Sequence, residues 1–66
     1  MTLVYRLKRE LSFGEELVLS RALNLPVGAL GQDNGFWYYT LETEKKLSQR
    51  EIEILKKIKL DPVNDY

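Results

Sequence analysis

Two carboxylate pairs are the closest this sequence comes to a catalytic pattern. Glu15 and Glu16 are adjacent, and Glu42 and Glu44 are separated by one residue. Two carboxylates can share general acid and base work when their surroundings push their pKa values apart. Here the first pair fits the start of a helix, and the second fits the solvated end of a strand. We therefore interpret both pairs as structural and predict no catalytic residue.

The side chains that most often carry catalysis and metal binding are missing. The 66 residues include no cysteine and no histidine. This excludes a Ser–His pair, a zinc site built from those ligands and a disulfide. Gly28, Gly31 and Gly35 do not have the spacing of a dinucleotide-binding or phosphate-binding loop. The sequence therefore predicts a protein that is not an enzyme and that uses no cofactor and no metal.

Length and charge favour a small binding domain. Ten basic and ten acidic residues give a net charge of zero, whereas strong phosphate-backbone binders rely on excess cationic charge. A chain this short makes one domain, residues 1–66, with a small core, so we expect a homo-oligomer. No apolar run is long enough to cross a membrane. Charges interrupt the first ten residues, where an export signal needs an apolar stretch, so the expected location is the cytoplasm.

Two stretches have the alternation that is typical of strands. Residues 3–10 place Leu3, Tyr5 and Leu7 on one face and mostly charged side chains on the other. Residues 36–42, FWYYTLE, are rich in aromatic and β-branched side chains. Their two faces carry Phe36, Tyr38 and Thr40 on one side and Trp37, Tyr39 and Leu41 on the other. Because both faces are apolar, this strand is predicted to be central or covered on both sides.

Two capping boxes predict where helices begin. The pattern Ser-x-x-Glu occurs at Ser12 and again at Ser48, so that each serine and the glutamate three residues later cap the first turn. The predicted helices span 13–24, where Pro26 ends the first, and 49–59. The expected buried stripes are Val18, Leu19, Ala22 and Leu23 in the first helix and Ile52, Ile54, Leu55 and Ile58 in the second.

The segment between the first helix and the aromatic strand contains a turn. Residues 27–30 fit either a short strand or an irregular segment. Residues 31–35, GQDNG, read as the turn, in which Gly35 supplies the positive φ of a tight hairpin. The predicted fold class is therefore α+β: a small β-α-β-α unit with an antiparallel sheet and helices on one face, half of a ferredoxin-like arrangement.

Two patterns are compatible with nucleic-acid binding. The strand NGFWYYTL has the alternating aromatics of a sheet that stacks RNA bases, and SRALNLPVGALG has the rhythm of a helix-turn-helix. The zero net charge favours core and partner contacts for the aromatics instead. The second helix of a helix-turn-helix would be broken by GQDNG and carries no basic residue. We therefore expect no nucleic-acid partner.

The second half of the chain resembles a known family. The stretch FWYYTLETEKKLSQREIEILKKIKLDPVNDY is similar to the small subunit of phosphoribosylformylglycinamidine synthase, the PurS type, and to the matching segment of the fused enzyme. In that family a strand, an acidic loop and a short helix lead to a Leu-x-Asp/Asn-Pro-Val segment, here Leu60 to Val63. Family members continue from this segment into a final strand. In the first half, the Ala22–Leu23 pair and the element order fit the family.

The resemblance implies a non-catalytic accessory subunit or mimic. Such a subunit dimerises through its sheet and docks on the synthetase large subunit in purine biosynthesis. The segment LDPVNDY would then steer the chain toward a partner, with its tyrosine as an anchor; the other reading is a helix stop followed by a tail. The residues predicted to contact a partner are Tyr5, Trp37, Tyr39, Asp61, Pro62 and Tyr66.

A second hypothesis keeps the binding role and changes the partner. The aromatic strand and the zero net charge are also compatible with a small inhibitor or regulator, encoded by a phage, that binds some other host protein. Both hypotheses predict a protein partner and no catalysis. They differ in which protein the chain captures.

Overall fold

The elements of the fold alternate between sheet and helix. The computed structural model describes residues 1–63. The strands are β1 (Thr2–Leu7), β2 (Val27–Asp33), β3 (Phe36–Glu42) and β4 (Asp61–Pro62), and the helices are α1 (Phe13–Leu23) and α2 (Gln49–Lys57). The strands form one sheet in the order β2-β3-β1-β4, and each neighbouring pair is antiparallel. The predicted α+β class with an antiparallel sheet is confirmed.

The fold has more strands than the predicted half of a ferredoxin-like arrangement. Its order, β-α-β-β-α-β, together with the strand order, is that of a full ferredoxin-like unit. Two strands account for the difference. β2 includes residues 27–30, for which the sequence fitted either a short strand or an irregular segment, and it continues into the predicted turn. β4 forms within the proline-containing segment after α2, for which the sequence left open a helix stop with a tail or a route toward a partner.

The core lies between the sheet and both helices. Leucines from β1, α1, β3 and α2 meet in one cluster with the ring of Tyr39. Arg50, near the start of α2, donates to the backbone oxygen of Ala22, near the end of α1. The helices therefore share one side of the sheet, as predicted. The buried residues are Leu7, Leu11, Leu19, Leu23, Tyr39, Leu41, Leu55 and Leu60.

Both predicted capping boxes are confirmed. The Glu15 amide donates to Ser12 Oγ at 3.1 Å, and the Ser12 amide donates to Glu15 Oε1 at 2.8 Å. Ser48 begins α2 in the same way. α1 ends one residue before the prediction, because Asn24 takes the left-handed conformation with φ 56°. α2 ends two residues early, since Lys59 has φ 66°.

The hairpin between β2 and β3 turns in two residues. Asp33 pairs with Phe36, and the turn residues Asn34 and Gly35 have φ of 53° and 82°. Two positive φ values match the right-handed twist of the flanking strands, and Gly35 takes its value without steric cost. The predicted role of Gly35 is confirmed, but the turn is shorter than 31–35.

One face of α1 differs from the prediction. Val18 was expected to be buried beside Leu19, yet 68% of its surface is exposed. Leu19 and Leu23 enter the core, and the polar residues Glu16 and Ser20 are half-buried. The helix is apolar around most of its circumference, so periodicity alone could not fix its rotation. The rotation was settled by packing against the sheet.

An ion pair at the start of α1 makes the stability of the fold depend on pH. Arg9 donates to both carboxylate oxygens of Glu15, at 2.9 and 2.8 Å. These bonds, with that from the Ser12 amide, lower the pKa of Glu15 from 4.5 to about 2. Because the pKa is lower in the folded state, the stabilisation is fully present above pH 4.5. It is lost as the pH falls toward 2.

We therefore expect the Glu15→Gln variant to lose part of the acid sensitivity of folding. Urea unfolding followed between pH 5 and pH 2 should give a shallower fall in unfolding free energy than in the wild type. The matched control is Glu44→Gln, in the exposed loop after β3, which should retain the wild-type slope. Equal slopes for wild type and Glu15→Gln would show that the ion pair does not contribute in solution.

Candidate protein-binding surface

The two faces of the sheet have different surroundings. In the antiparallel pairing of β1 with β3, Leu3 lies opposite Leu41 and Tyr5 opposite Tyr39. These odd-numbered positions pack against the core. The even-numbered positions point to the other side, because side chains alternate along a strand. Both helices contribute to the core on the first side, so neither covers the second.

The uncovered side, called here the open face, is half-exposed and rich in rings. Its central residues are Val4, Arg6, Phe36, Tyr38 and Thr40, and each is partly accessible. β3 is central, as predicted, because it lies between β2 and β1. The helices cover it on one side only. The aromatic side chains on its other side are therefore available to a partner.

Several contacts hold the open face in place. The Arg6 guanidinium lies over the Phe36 ring, 4.4 Å from its centroid, which is cation–π distance. Thr40 Oγ1 donates to the Gly28 backbone oxygen at 3.4 Å. A Cβ at Gly28 would come within 3.0 Å of that hydroxyl, so glycine is what leaves room for it. The surface is thus ordered before any partner arrives.

A hollow adjoins the open face at the β2 edge. The register of β2 shifts between Ala29 and Gly31, and the residue between them, Leu30, is 61% exposed. A shallow hollow of about 400 Å³ opens there beside Tyr38, with Gln32 in its lining. Bulges of this kind redirect side chains at sheet edges. A partner side chain could occupy this hollow next to the Tyr38 ring.

Tyr39 requires a correction, because the structure places this predicted contact residue in the core. Only 2% of its surface is exposed, and its hydroxyl accepts a hydrogen bond from the Leu11 amide at 2.8 Å. Its side chain is therefore not available to a partner. Tyr5 and Trp37 are half-buried on the same helix-facing side, and burial raises the pKa of the Tyr5 phenol.

Two other predicted contact residues lie at the sheet edge. Asp61 pairs with Arg6, and Pro62 pairs with Tyr5. Both are exposed. The Val63 amide donates to the Val4 backbone oxygen at 2.9 Å, which extends the pairing beyond Pro62. The sixth predicted contact residue, Tyr66, lies outside the described residues.

The residues that form the open face were not among the predicted contacts, although their alternation was recognised. Phe36, Tyr38 and Thr40 were placed on one face of β3, but the contacts were assigned to the opposite face. Arg6 was noted only among the charged positions of β1. The signal was present, because a strand with two apolar faces and one helical layer must leave one face uncovered.

The carboxylates do not gather into a site. Glu15 is paired with Arg9, and Glu42 accepts from the Thr2 hydroxyl. Within residues 1–63, no group of three or more acidic side chains is placed to hold a metal ion. No helix in this part of the chain is long and apolar enough to cross a membrane.

Comparisons with known proteins did not identify a relative. No family model, no curated protein and no solved structure matched the chain. The fold and surface define a class: a small antiparallel α+β domain with a ferredoxin-like element order and one uncovered sheet face.

Proposed function

We propose that this protein is a non-catalytic binding subunit that meets another protein through the open face of its sheet. The observation that carries the proposal is the pair of half-exposed β3 rings, Phe36 under the Arg6 guanidinium and Tyr38 paired with Arg6, on a face that neither helix covers. Tyrosine and arginine are the residues most enriched at the energetic centres of protein interfaces.

The charges around the open face favour a protein over a nucleic acid. The register puts Asp33, Glu42 and Asp61 on the same side of the sheet as Arg6, at its borders. Three carboxylates around one guanidinium repel a phosphate backbone, whose binding depends on cationic side chains. They suit a partner with an apolar centre and basic residues at its rim.

The proposed partner is the large subunit of a phosphoribosylformylglycinamidine synthase. The family resemblance of residues 36–66 motivates this choice, and it implies an accessory role in purine biosynthesis in the cytoplasm. The element order adds support, because the resemblance implies a strand, a helix, a second strand and a short helix in that order, and β1, α1, β3 and α2 follow it. In this role the subunit binds the large subunit and does not itself catalyse a reaction.

The same surface would serve the second hypothesis, a phage-encoded inhibitor or regulator of another host protein. Both hypotheses use the open face, so variants of this face test the surface and the identity of the captured protein tests the partner. Failure of the synthase to bind, with capture of another protein through Tyr38, would select the second hypothesis.

We expect Tyr38→Ala to weaken binding to the synthase large subunit at least about tenfold, the effect typical of an interface tyrosine, about 1.4 kcal/mol. Titration calorimetry with the purified large subunit measures the change. The control is Phe13→Ala, which removes a more exposed ring from α1 and should leave the affinity unchanged. Equal affinities for wild type and Tyr38→Ala would remove the open face from the proposed interface.

A further inference from the structure

A polar hollow of about 430 Å³ lies on the helix side of the sheet, where α1 ends and α2 begins. Four basic residues from three separate parts of the chain line it. Arg21 comes from the last turn of α1, Lys45 and Lys46 from the loop after β3, and Arg50 from the first turn of α2. We call these four residues the basic cluster. The proposed function does not use it, because the open face lies on the other side of the sheet.

The carboxylates nearby do not neutralise the basic cluster. The acidic residue that lines the hollow is Glu51, and its carboxylate already accepts a hydrogen bond from the Ser48 amide at 2.7 Å. Glu44 borders a different hollow. Within residues 1–63, the salt bridge that forms joins Arg9 to Glu15, outside the cluster. The lining therefore carries four positive charges against one negative charge.

Hydrogen bonds hold the segments that carry the cluster. Thr43, which is 8% exposed, donates from Oγ1 to the Lys45 backbone oxygen at 2.7 Å and accepts from the Lys45 amide at 3.3 Å. Arg50 Nη1 donates to the Ala22 backbone oxygen at 3.4 Å, which ties the start of α2 to the end of α1. The fold itself thus gathers the four cations, although like charges repel one another.

The backbone around the hollow is compatible with a negative ligand. α2 begins here, so the positive end of its dipole lies beside the hollow. α1 ends here, and free carbonyl groups at its end would repel an anion. They are engaged, because the Asn24 amide donates to the Ser20 and Arg21 oxygens and Arg50 donates to the Ala22 oxygen.

We infer that the basic cluster binds the phosphate group of a small molecule. A phosphate group carries about two negative charges and three strong acceptor oxygens at neutral pH. The planar fork of a guanidinium matches those oxygens, and the cluster has two such groups, on Arg21 and Arg50. A single carboxylate would leave most of the positive charge of the lining without a partner.

The position of the other cations favours a small ligand over a nucleic acid. The next basic residues on α2, Lys56 and Lys57, lie in its last turn, and the exposed Glu53 lies between them and the cluster. A nucleic-acid backbone is bound by many cations along its length, whereas this cluster is confined to one hollow. Because its four side chains are exposed, we expect a dissociation constant of about a millimolar at low salt.

An NMR titration of the isotope-labelled chain with inorganic phosphate tests the inference. Sodium chloride keeps the ionic strength constant, so that general screening does not change during the titration. We expect saturable shifts of the Lys45, Lys46 and Arg50 amide signals. The absence of saturable shifts well above the millimolar range would overturn the inference. Shifts of equal size at both ends of α2 would show only general screening and would also overturn it.

Two double variants compare the two ends of α2. Arg21→Gln combined with Lys46→Gln removes half of the cluster and should raise the dissociation constant about fivefold or more. Lys56→Gln combined with Lys57→Gln removes the same charge from the last turn and should leave the constant unchanged. The amide spectrum shows whether each variant is folded. Equal effects of the two double variants would contradict a site in this hollow.

A parallel titration with hexaglutamate separates a phosphate from an acidic segment of a protein. Shifts at the cluster with the peptide but not with phosphate would assign the hollow to a protein partner and overturn the inference. Both titrations use the chain alone. Their outcome is therefore independent of whether the synthase large subunit binds the open face.

Discussion

We expect the Leu55→Ala variant to lose about 2–5 kcal/mol of unfolding free energy, a large part of what so small a domain has. Leu55 comes from α2, is 1% exposed and packs in the single core cluster of the described residues. Truncating a buried leucine to alanine costs about 2–5 kcal/mol, because it removes apolar contacts and leaves a cavity. At roughly 0.05–0.15 kcal/mol per residue, a chain of this length has only about 3–10 kcal/mol of stability to lose.

Urea unfolding followed by the fluorescence of Trp37 measures this change. The matched control is Leu30→Ala, which makes the same truncation at a residue 61% exposed and should change the unfolding free energy by no more than about 0.5 kcal/mol. Similar losses in both variants would mean that the core is not centred on the contact between α2 and the sheet.

The second large loss of stability is expected from removing a single hydroxyl group, that of Tyr39. Tyr39→Phe keeps the ring in the core but removes the acceptor of the Leu11 amide. That amide belongs to a residue only 3% exposed, so it would be left buried without its partner. An unsatisfied buried donor costs about 1–3 kcal/mol, a large part of the stability of so small a domain.

The neighbouring tyrosine supplies the control. Tyr38→Phe removes the same group one residue away, on the half-exposed open face, where water can solvate the site. We expect its unfolding free energy to stay within about 0.5 kcal/mol of the wild type. Hydrogen exchange adds a local readout, since the Leu11 amide should lose protection in Tyr39→Phe only. Equal destabilisation by the two variants would contradict the assignment of the two faces of β3.

Local signals predicted the starts of both helices and the turn at Gly35. Ser12 and Ser48 each form their capping box with a glutamate three residues away, so the interaction lies wholly within the local sequence. Gly35 is required by the turn itself, because the backbone there has positive φ. The α+β class and the central position of β3 also followed, since both depend on hydrophobic periodicity.

The rotation of α1 and the orientation of β3 depend on tertiary packing. α1 offers Val18 and Leu19 on adjacent faces, so sequence alone does not decide which enters the core. β3 has the same ambiguity between Tyr38 and Tyr39. The predicted contacts Trp37 and Tyr39 lie on the helix-facing side of β3, because nothing in the local sequence distinguishes a ring that packs against a helix from a ring that faces outward.

The full extent of β2 and the presence of β4 were not predicted, because both strands contain residues that usually interrupt secondary structure. β2 ends in GQD, which has the composition of a turn, yet pairing with β3 keeps it extended up to Asp33. β4 contains Pro62, which was interpreted as part of a helix stop. Proline is tolerated at a sheet edge because its missing amide hydrogen faces no neighbouring strand, and here it pairs with Tyr5 at that edge.

We propose that the open face of the sheet binds a protein partner. The most direct test is to titrate the isotope-labelled chain with the synthase large subunit and to follow the backbone amide signals by NMR. We expect the largest changes on Val4, Arg6, Tyr38 and Thr40, with α2 little affected. Changes confined to the helices, or no change at saturating concentrations of the large subunit, would contradict it.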